Sequence, residues 1–398
     1  MDAEEARTIG YAVWRVRADR RKSLQVIADL AGMSKSHLSR IERGERSPTL
    51  AEIVALAAAL QISVSELTRL PVPAPANGHT DSTTGVVQSA LDGIESGEPG
   101  GIVLPWEVLQ DQVRDLHRLR RACRFAEVAA ELPGLIRNLH TTLDTGADHG
   151  ELLDLAVYLH VHVTKLWLAH AAAPTDLRRR TVFLARRLAQ ERDQITTLGM
   201  AEFAVVDALL GGGAIELGRS RLDAITVPPT TTDTAGLVCD LTMQHAWAAV
   251  RDGRPDEAVA PMDTAAELAG RFEATAEADP LGFIPVPADV ALHRMGHALE
   301  VGDSEQVVRI AAGVAPESHP HRVGQAQYWR NYGRALAGLR GRHDDAVRAL
   351  RTAENLFPAV VLRDPFVRDT LAVLLRHSRR DAVGQELQGM ARRAGLSG

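Results

Sequence analysis

Aromatic residues make up only 4% of the 398-residue chain, and cysteine occurs twice, at Cys123 and Cys239. Two thiols so far apart, in no ligand spacing, exclude a disulfide framework and a thiolate zinc site and are expected as buried free thiols. No uninterrupted apolar run approaches the roughly 18 residues of a membrane span, and the start, MDAEEARTIG, is acidic where a signal peptide is basic and then apolar. These absences predict a cytoplasmic chain with no membrane partner. What is present is ordinary globular composition, 45% hydrophobic and 24% charged, with length for two or three domains.

The net charge of −6 is unevenly placed: residues 1–70 hold eleven Lys and Arg against nine Asp and Glu, and the remainder is acidic. Between residues 15 and 46, Arg15, Arg17, Arg20, Arg21, Lys22, Lys35, Arg40, Arg43 and Arg46 face only Asp19, Asp29, Glu42 and Glu45. Such a density of cations suits a polyanion, because each neutralised phosphate releases counterions. Periodicity around the cations is helical. Ile9, Val13 and Val16, with Trp14, predict a helix over about Thr8 to Asp19. Ser23 caps a second that carries Leu24, Ile27, Ala28 and Ala31 and ends at Gly32. After the turn Gly32-Met33-Ser34, a third helix from Lys35 to Arg43 turns Leu38 and Ile41 inward and leaves Lys35, Ser36, His37, Ser39 and Arg40 outward. Gly44 stops it, Ser47-Pro48-Thr49 opens a fourth, and Ser63 to Leu67 starts a fifth. Two short helices at a three-residue turn form a helix-turn-helix.

The segment LQVIADLAGMSKSHLSRIERGERSPTLAEIVALAAALQISVSEL resembles the Xre/Cro-like phage-repressor family across its DNA-binding domain, most specifically in HLSRIERGERSPTL. The resemblance implies a double-stranded DNA operator as partner, read in the major groove by Lys35, Ser36 and Arg40. It further implies backbone or flanking contacts from His37, Ser39, Arg43 and Arg46, and a structural ion pair between Arg17 and Glu42. Where the family often has a phosphate-contacting glutamine as the first residue of helix two, this chain has Leu24, with Gln25 next as the flanking candidate.

Residues 71–104 turn rich in Pro, Gly, Ser and Thr, with Val86 to Ile94 as the one helical stretch, and are expected as a flexible linker. From residue 105 to 398 helical patterns follow one another without strand alternation, so the fold class is all-α. Gly253 with Asp256, Gly302 with Glu305 and Gly341 with Asp344 share a form, a glycine, two residues, then an acid opening a small-residue helix. Their spacing is 49 and 39 residues, and a weaker copy at Ser378 with Asp381 follows 37 further on. Hairpins of this kind stack into a solenoid. The body therefore resembles the degenerate tetratricopeptide-like domain behind an Xre-type head in many actinobacterial regulators, which implies a homodimer and a peptide or small-molecule effector.

Aromatic and polar groups on the predicted body helices are the candidates to line an effector pocket: Trp167, His245, Trp247, His293, His297, Tyr328, Trp329, Asn331 and Arg334. His293 with His297, and His160 with His162, have helical metal-ligand spacing without a third ligand, so no metal and no cofactor is expected. Gly211-Gly212-Gly213 lacks the Lys-Ser/Thr of a phosphate loop and reads as a hinge between hairpins. No paired carboxylate or nucleophile motif suggests an enzyme. The reading is a DNA-binding transcriptional regulator, associated with the nucleoid when bound, or alternatively a DNA-localised scaffold whose body recruits a protein.

Overall fold

The computed structural model describes residues 9–10, 12–14, 16–17, 22–43, 45–46, 48–60, 62, 67, 78–146, 148–171, 173–271, 282–283, 286–376 and 381–396. Among them every regular element is helical. The chain forms two compact units, residues 1–75 together with 361–398, and residues 76–360.

In the first unit, helical residues between 9 and 17 precede α1 (Leu24–Leu30), α2 (Lys35–Glu42) and α3 (Leu50–Ala59). Each start is made by the residue type the backbone needs. Ser23 Oγ accepts from Val26 N and Ser34 Oγ from His37 N. At α3 Thr49 and Glu52 exchange side-chain and backbone hydrogen bonds as a capping box. Ile9, Val13, Ile27, Leu38, Ile41, Ile53, Leu56, Leu60 and Leu67 close one small core. Gly10 is where the first helix crosses α2, since a Cβ there would sit 2.1 Å from the Ile41 carbonyl oxygen. Of the expected fifth helix only Leu67 is described; Ser63 to Glu66, like Thr8, Arg15, Asp19, Arg20, Arg21, Gly44 and Ser47, lie outside the described residues.

The second unit runs through α4 (Gly78–Glu95), α5 (Trp106–Arg121), α6 (Phe125–Leu143), α7 (His149–Tyr158), α8 (Lys165–His170), α9 (Thr175–Arg192), α10 (Ile195–Gly211), α11 (Ile215–Asp223) and α12 (Thr232–Arg251). It continues with α13 (Val259–Arg271), α14 (Pro287–Glu300), α15 (Ser304–Ala312), α16 (Arg322–Ala337) and α17 (His343–Leu356), and the short α18 (Pro358–Leu362) contains the boundary at residue 360. Consecutive helices pair as antiparallel hairpins, and the hairpin turns share one device. Cys123, Gly213, Gly253, Gly302 and Gly341 all have positive φ, between 61° and 83°. In four of these turns the next residue, Arg124, Ala214, Arg254 or Asp303, donates its N–H to the carbonyl five residues back at 2.8–2.9 Å. That is the left-handed C-terminal stop for which glycine is the unstrained choice. The triple glycine takes its place in this series, with Gly213 making the α10–α11 turn. Asp303 Oδ1 caps α15 by accepting from Gln306 N at 2.8 Å.

Three expectations are corrected here. The stretch read as linker holds the 18-residue α4, whose Val87, Ala90 and Leu91 are buried in the body core with Ile94 beside them. Spacing of three, four and seven residues gave that helix an apolar stripe that outweighed its Ser and Gly content. The irregular segment after it is fixed too: Gly101 N, Ile102 N and Leu104 N donate to Thr141, Asn138 and Thr142 of α6. Second, α19 (Pro365–Arg376) and α20 (Ala382–Arg393) group with the first unit instead of continuing the body. Asp381 Oδ1 caps α20 through Gly384 N at 2.8 Å, while Ser378 lies outside the described residues. Third, the continuous helical run His149–His170 does have the length and apolar character of a membrane span, but 78% of its 18-residue apolar window is buried inside the body. Isolated polar residues had broken it into runs too short to notice.

Within the body Phe125 stacks on Phe357 with centroids 4.8 Å apart, and His170 touches the same ring at 4.9 Å. The last hairpin thus returns to the first. Both cysteines are free thiols; Cys239 is buried with Sγ on the Ala265 carbonyl, and Cys123 is half-buried.

Candidate nucleic-acid interface

The outer face of α2 follows from where its inner face is spent. At 100° per residue, Leu38 and Ile41 point into the core and Glu42 beside them, leaving Lys35, Ser36, Ser39 and Arg40 within one arc on the other side. Lys35, Ser36 and Arg40 are exposed, and Ser39 is half-buried. The Lys35 and Arg40 side chains have no hydrogen-bond or ion-pair partner among the described residues. Two unpaired cations and a hydroxyl, presented on the first turns of a helix, have the donor chemistry that guanine O6 and N7 accept. Ser34 and Ser36 hydroxyls lie 3.2 Å apart at the same helix start.

The helix is held from behind by a bidentate ion pair. Arg17 Nε and Nη2 donate to Glu42 Oε1 and Oε2 at 2.6 and 2.8 Å, while Arg17 Nη1 reaches the Lys22 carbonyl at 2.9 Å. Glu42 is 5% exposed and Arg17 14%. The carboxylate raises the Arg17 guanidinium further above its ordinary value. This clamp ties the first helix to the last turn of α2.

Flanking positions divide. Arg43 and Arg46 are exposed past the end of α2, Arg43 with Nη2 3.1 Å from Glu45 and Arg46 with Nη2 3.8 Å from Glu52. Gln25 is exposed on α1 and donates to Asp29 at 2.8 Å. His37 takes a different place: its Nε2 lies 2.9 Å from Glu52 Oε1, so it links α2 to the N-terminus of α3. Glu52 also receives the Thr49 backbone N–H at 2.7 Å, and that hydrogen bond leads the groups holding its carboxyl below the usual range.

The pocket candidates in the body do not converge on one place. Trp167 is buried, its Nε1 donating to the Phe125 carbonyl at 3.2 Å, so the indole is core. Tyr328 is likewise buried with its hydroxyl on the Ala311 carbonyl at 3.0 Å, and Asn331, 4% exposed, is held by Arg330. Trp329 packs edge-on to Tyr328 at 5.3 Å, and Arg334 is half-buried and engaged. Helix geometry requires this division, since residues 328–332 point all round α16 and its inner face must be core. Trp247, His293 and His297 do come together across α12 and α14: Trp247 stacks on His297 at 4.9 Å, Arg251 lies over the same indole at 5.1 Å, and His293 is 6.3 Å from His297. Burial pushes His297 down to about 3. His245 lies on α12 with Nδ1 3.9 Å from Asp223 of α11.

Two polar features escaped the sequence reading. Lys165, its side chain 9% exposed, meets Asp207 Oδ2 at 2.6 Å and lies 5.1 Å over the Phe203 ring. Desolvation works to raise Asp207 and is outweighed by Lys165, with Arg251 and His293 adding, so the carboxyl lies below the usual range. The signal was available: Lys165 is the one charged residue between Asp154 and Asp176. His160, from a buried six-residue π-helical stretch (Leu159–Thr164), meets His140 of α6 with Nε2 atoms 2.9 Å apart. Burial holds both imidazoles neutral, His140 down to about 4. Among the described residues no group of three metal-ligating side chains occurs.

Comparison with known families matches residues 15–67 to helix-turn-helix. Among solved structures the chain is similar to Bacillus thuringiensis PlcR, crystallised in complex with the peptide PapR7 and DNA, at 12% identity over 91% of this chain and 99% of that one, with a TM-score of 0.33. A search of curated proteins finds no match.

Proposed function

Residues 15–67 match the helix-turn-helix family, and from that match we propose that the chain is a cytoplasmic, sequence-specific transcriptional regulator, acting as a homodimer, whose helical-repeat body responds to a peptide or small-molecule effector. It is a binding protein and not an enzyme. The observation that carries the reading is the face of α2, where Lys35, Ser36 and Arg40 stand exposed on a helix clamped by Arg17 and Glu42. Base contacts come from Lys35, Ser36 and Arg40; Arg43, Arg46 and Gln25 sit where phosphates pass and set register. Ser39 flanks them, and His37 serves by holding α2 to α3.

The domain reading that supports this role is a head of residues 1–70 followed by a body of stacked hairpins. An effector acts on such a protein only by binding one arrangement of the body better than another. Selection of bound sequences from a random DNA pool by the full-length protein tests the reading. A motif with two half-sites at fixed spacing is expected. Recovery of no motif, with binding that follows salt alone, would overturn it, and a single half-site would remove the dimer.

A further inference from the structure

Arg120, at the end of α5, is 8% exposed and has no hydrogen-bond or ion-pair partner among the described residues. A buried guanidinium without a counter-charge is among the costliest arrangements a protein can hold. It is not alone. His117, one turn earlier and 5% exposed, also leaves its Nε2 without a partner, as does His321 in the turn before α16. Arg120, Arg121, His162 and His321 all act on His117 as like charges, and Arg121, His319 and Arg120 act so on His321. The acid among the groups acting on His321, Asp289, is already bonded to His319. Burial, with Arg121 adding, pushes Arg120 down to about 10. The body therefore brings α5 from its first hairpin and the turn at 319–321 from near its last into one cluster of basic side chains, in which the buried Arg120 has no counter-charge among the described residues.

One tautomer of His117 makes both free nitrogens donors. His117 Nδ1 is hydrogen-bonded to the Tyr158 hydroxyl, and Tyr158 lies close enough to Arg120 for the two to interact electrostatically. In the tautomer in which the Tyr158 hydroxyl donates to Nδ1, Nε2 of a neutral His117 carries the hydrogen. Arg120 Nε–H and His117 Nε2–H are then unspent donors one turn apart on the same face of α5. His162 packs on the His117 ring at 5.6 Å and on Phe283 at 4.7 Å, and Arg121 and His321 are half-buried.

We propose that this cluster binds one oxyanionic group, a carboxylate or a phosphate, of a small effector, with Arg120 and His117 as its donors. Planar guanidinium forks match both groups, and the missing negative charge is the one such a ligand supplies. The inference deepens the regulator reading by naming the effector's chemistry, and its test is run without DNA, so that either can fail alone.

The test is thermal unfolding of the full-length protein in a zwitterionic buffer, titrated with inorganic phosphate or with acetate, each against chloride at equal ionic strength. The wild-type Tm should rise with one ion or both, on the order of 3 °C per tenfold of ligand above its Kd, and the stronger ion identifies the group carried by the effector. Arg120→Met removes the unpaired charge, so this variant should melt at or above the ligand-free wild type and no longer respond. If it fails to fold, Arg120→Lys keeps the charge without the fork and should lose at least tenfold in affinity. No response of the wild type to either ion, or an equal response in the variant, overturns the proposal.

Discussion

Arg17→Met should loosen the head by about 3 kcal/mol. The figure follows from geometry. Two charge-assisted hydrogen bonds at 2.6 and 2.8 Å join a guanidinium 14% exposed to a carboxylate 5% exposed. Removing one partner of a buried pair costs about 3–5 kcal/mol, chiefly because the other is left charged and dry. Water at the open edge of Arg17 places this pair at the lower end. Glu42 would then face the core edge beside Ile41 with nothing to neutralise it. The double variant Arg17→Met with Glu42→Leu removes both charges and should return to within about 1 kcal/mol of wild type. Hydrogen exchange of α1 and α2 amides in the full-length protein reads the opening directly, and 3 kcal/mol corresponds to roughly a hundredfold loss of protection. A single-variant loss under a tenth of that, or a double variant as exposed as the single, would show that the pair is not the clamp.

Three further outcomes are expected. Arg40→Ala should weaken specific DNA binding by about 1–3 kcal/mol and spare random DNA, whereas Arg46→Ala should lower affinity for all sequences and flatten the salt slope by about one; equal losses on both DNAs for Arg40 would make it a phosphate contact. Gly10→Ala drives a Cβ to 2.1 Å from the Ile41 carbonyl oxygen, a backbone atom that cannot swing away, so the first helix must shift at a cost of about 1–3 kcal/mol, visible as lost protection in α2; unchanged exchange would mean the crossing is slack. Unfolded imidazoles take a proton near the ordinary value of 6.5, but folded His140 refuses it until about 4, so stability is retained above 6.5 and lost as pH falls through this window. The difference is worth up to about 3 kcal/mol, and urea midpoints of His140→Leu should show a shallower acid limb, with an unchanged limb counting against the assignment.

The head was legible because its signals are local and agree. Ser23, Ser34 and Thr49 cap the helices the periodicity defines, and each bond is made within three residues of the cap. The Arg17–Glu42 clamp spans 25 residues and was visible only through resemblance. His37 shows the limit of face counting, since an outward position on α2 is claimed by Glu52 of the next helix, which spacing along one helix does not reveal.

The body was half legible for a reason its turns make plain. A repeat is recognised in sequence by the residue its turn demands, and where glycine stands, at 213, 253, 302 and 341, the left-handed stop is readable. The first hairpin makes the same stop with Cys123, φ 61°, which composition gives no cause to group with the others. With that turn hidden, the first repeat could not be placed, and α4 before it was read as tether. The charge cluster was lost by the same step. Arg118, Arg120 and Arg121 look alike on the page as cations in the last turn of a helix, where the macrodipole favours them. Arg118 does bond to Asp115 at the surface. Arg120 differs because the chain returns just over two hundred residues later to bring His321 near it, and only that closure, marked also by Phe125 on Phe357, converts an ordinary helix end into a buried cation in want of an anion.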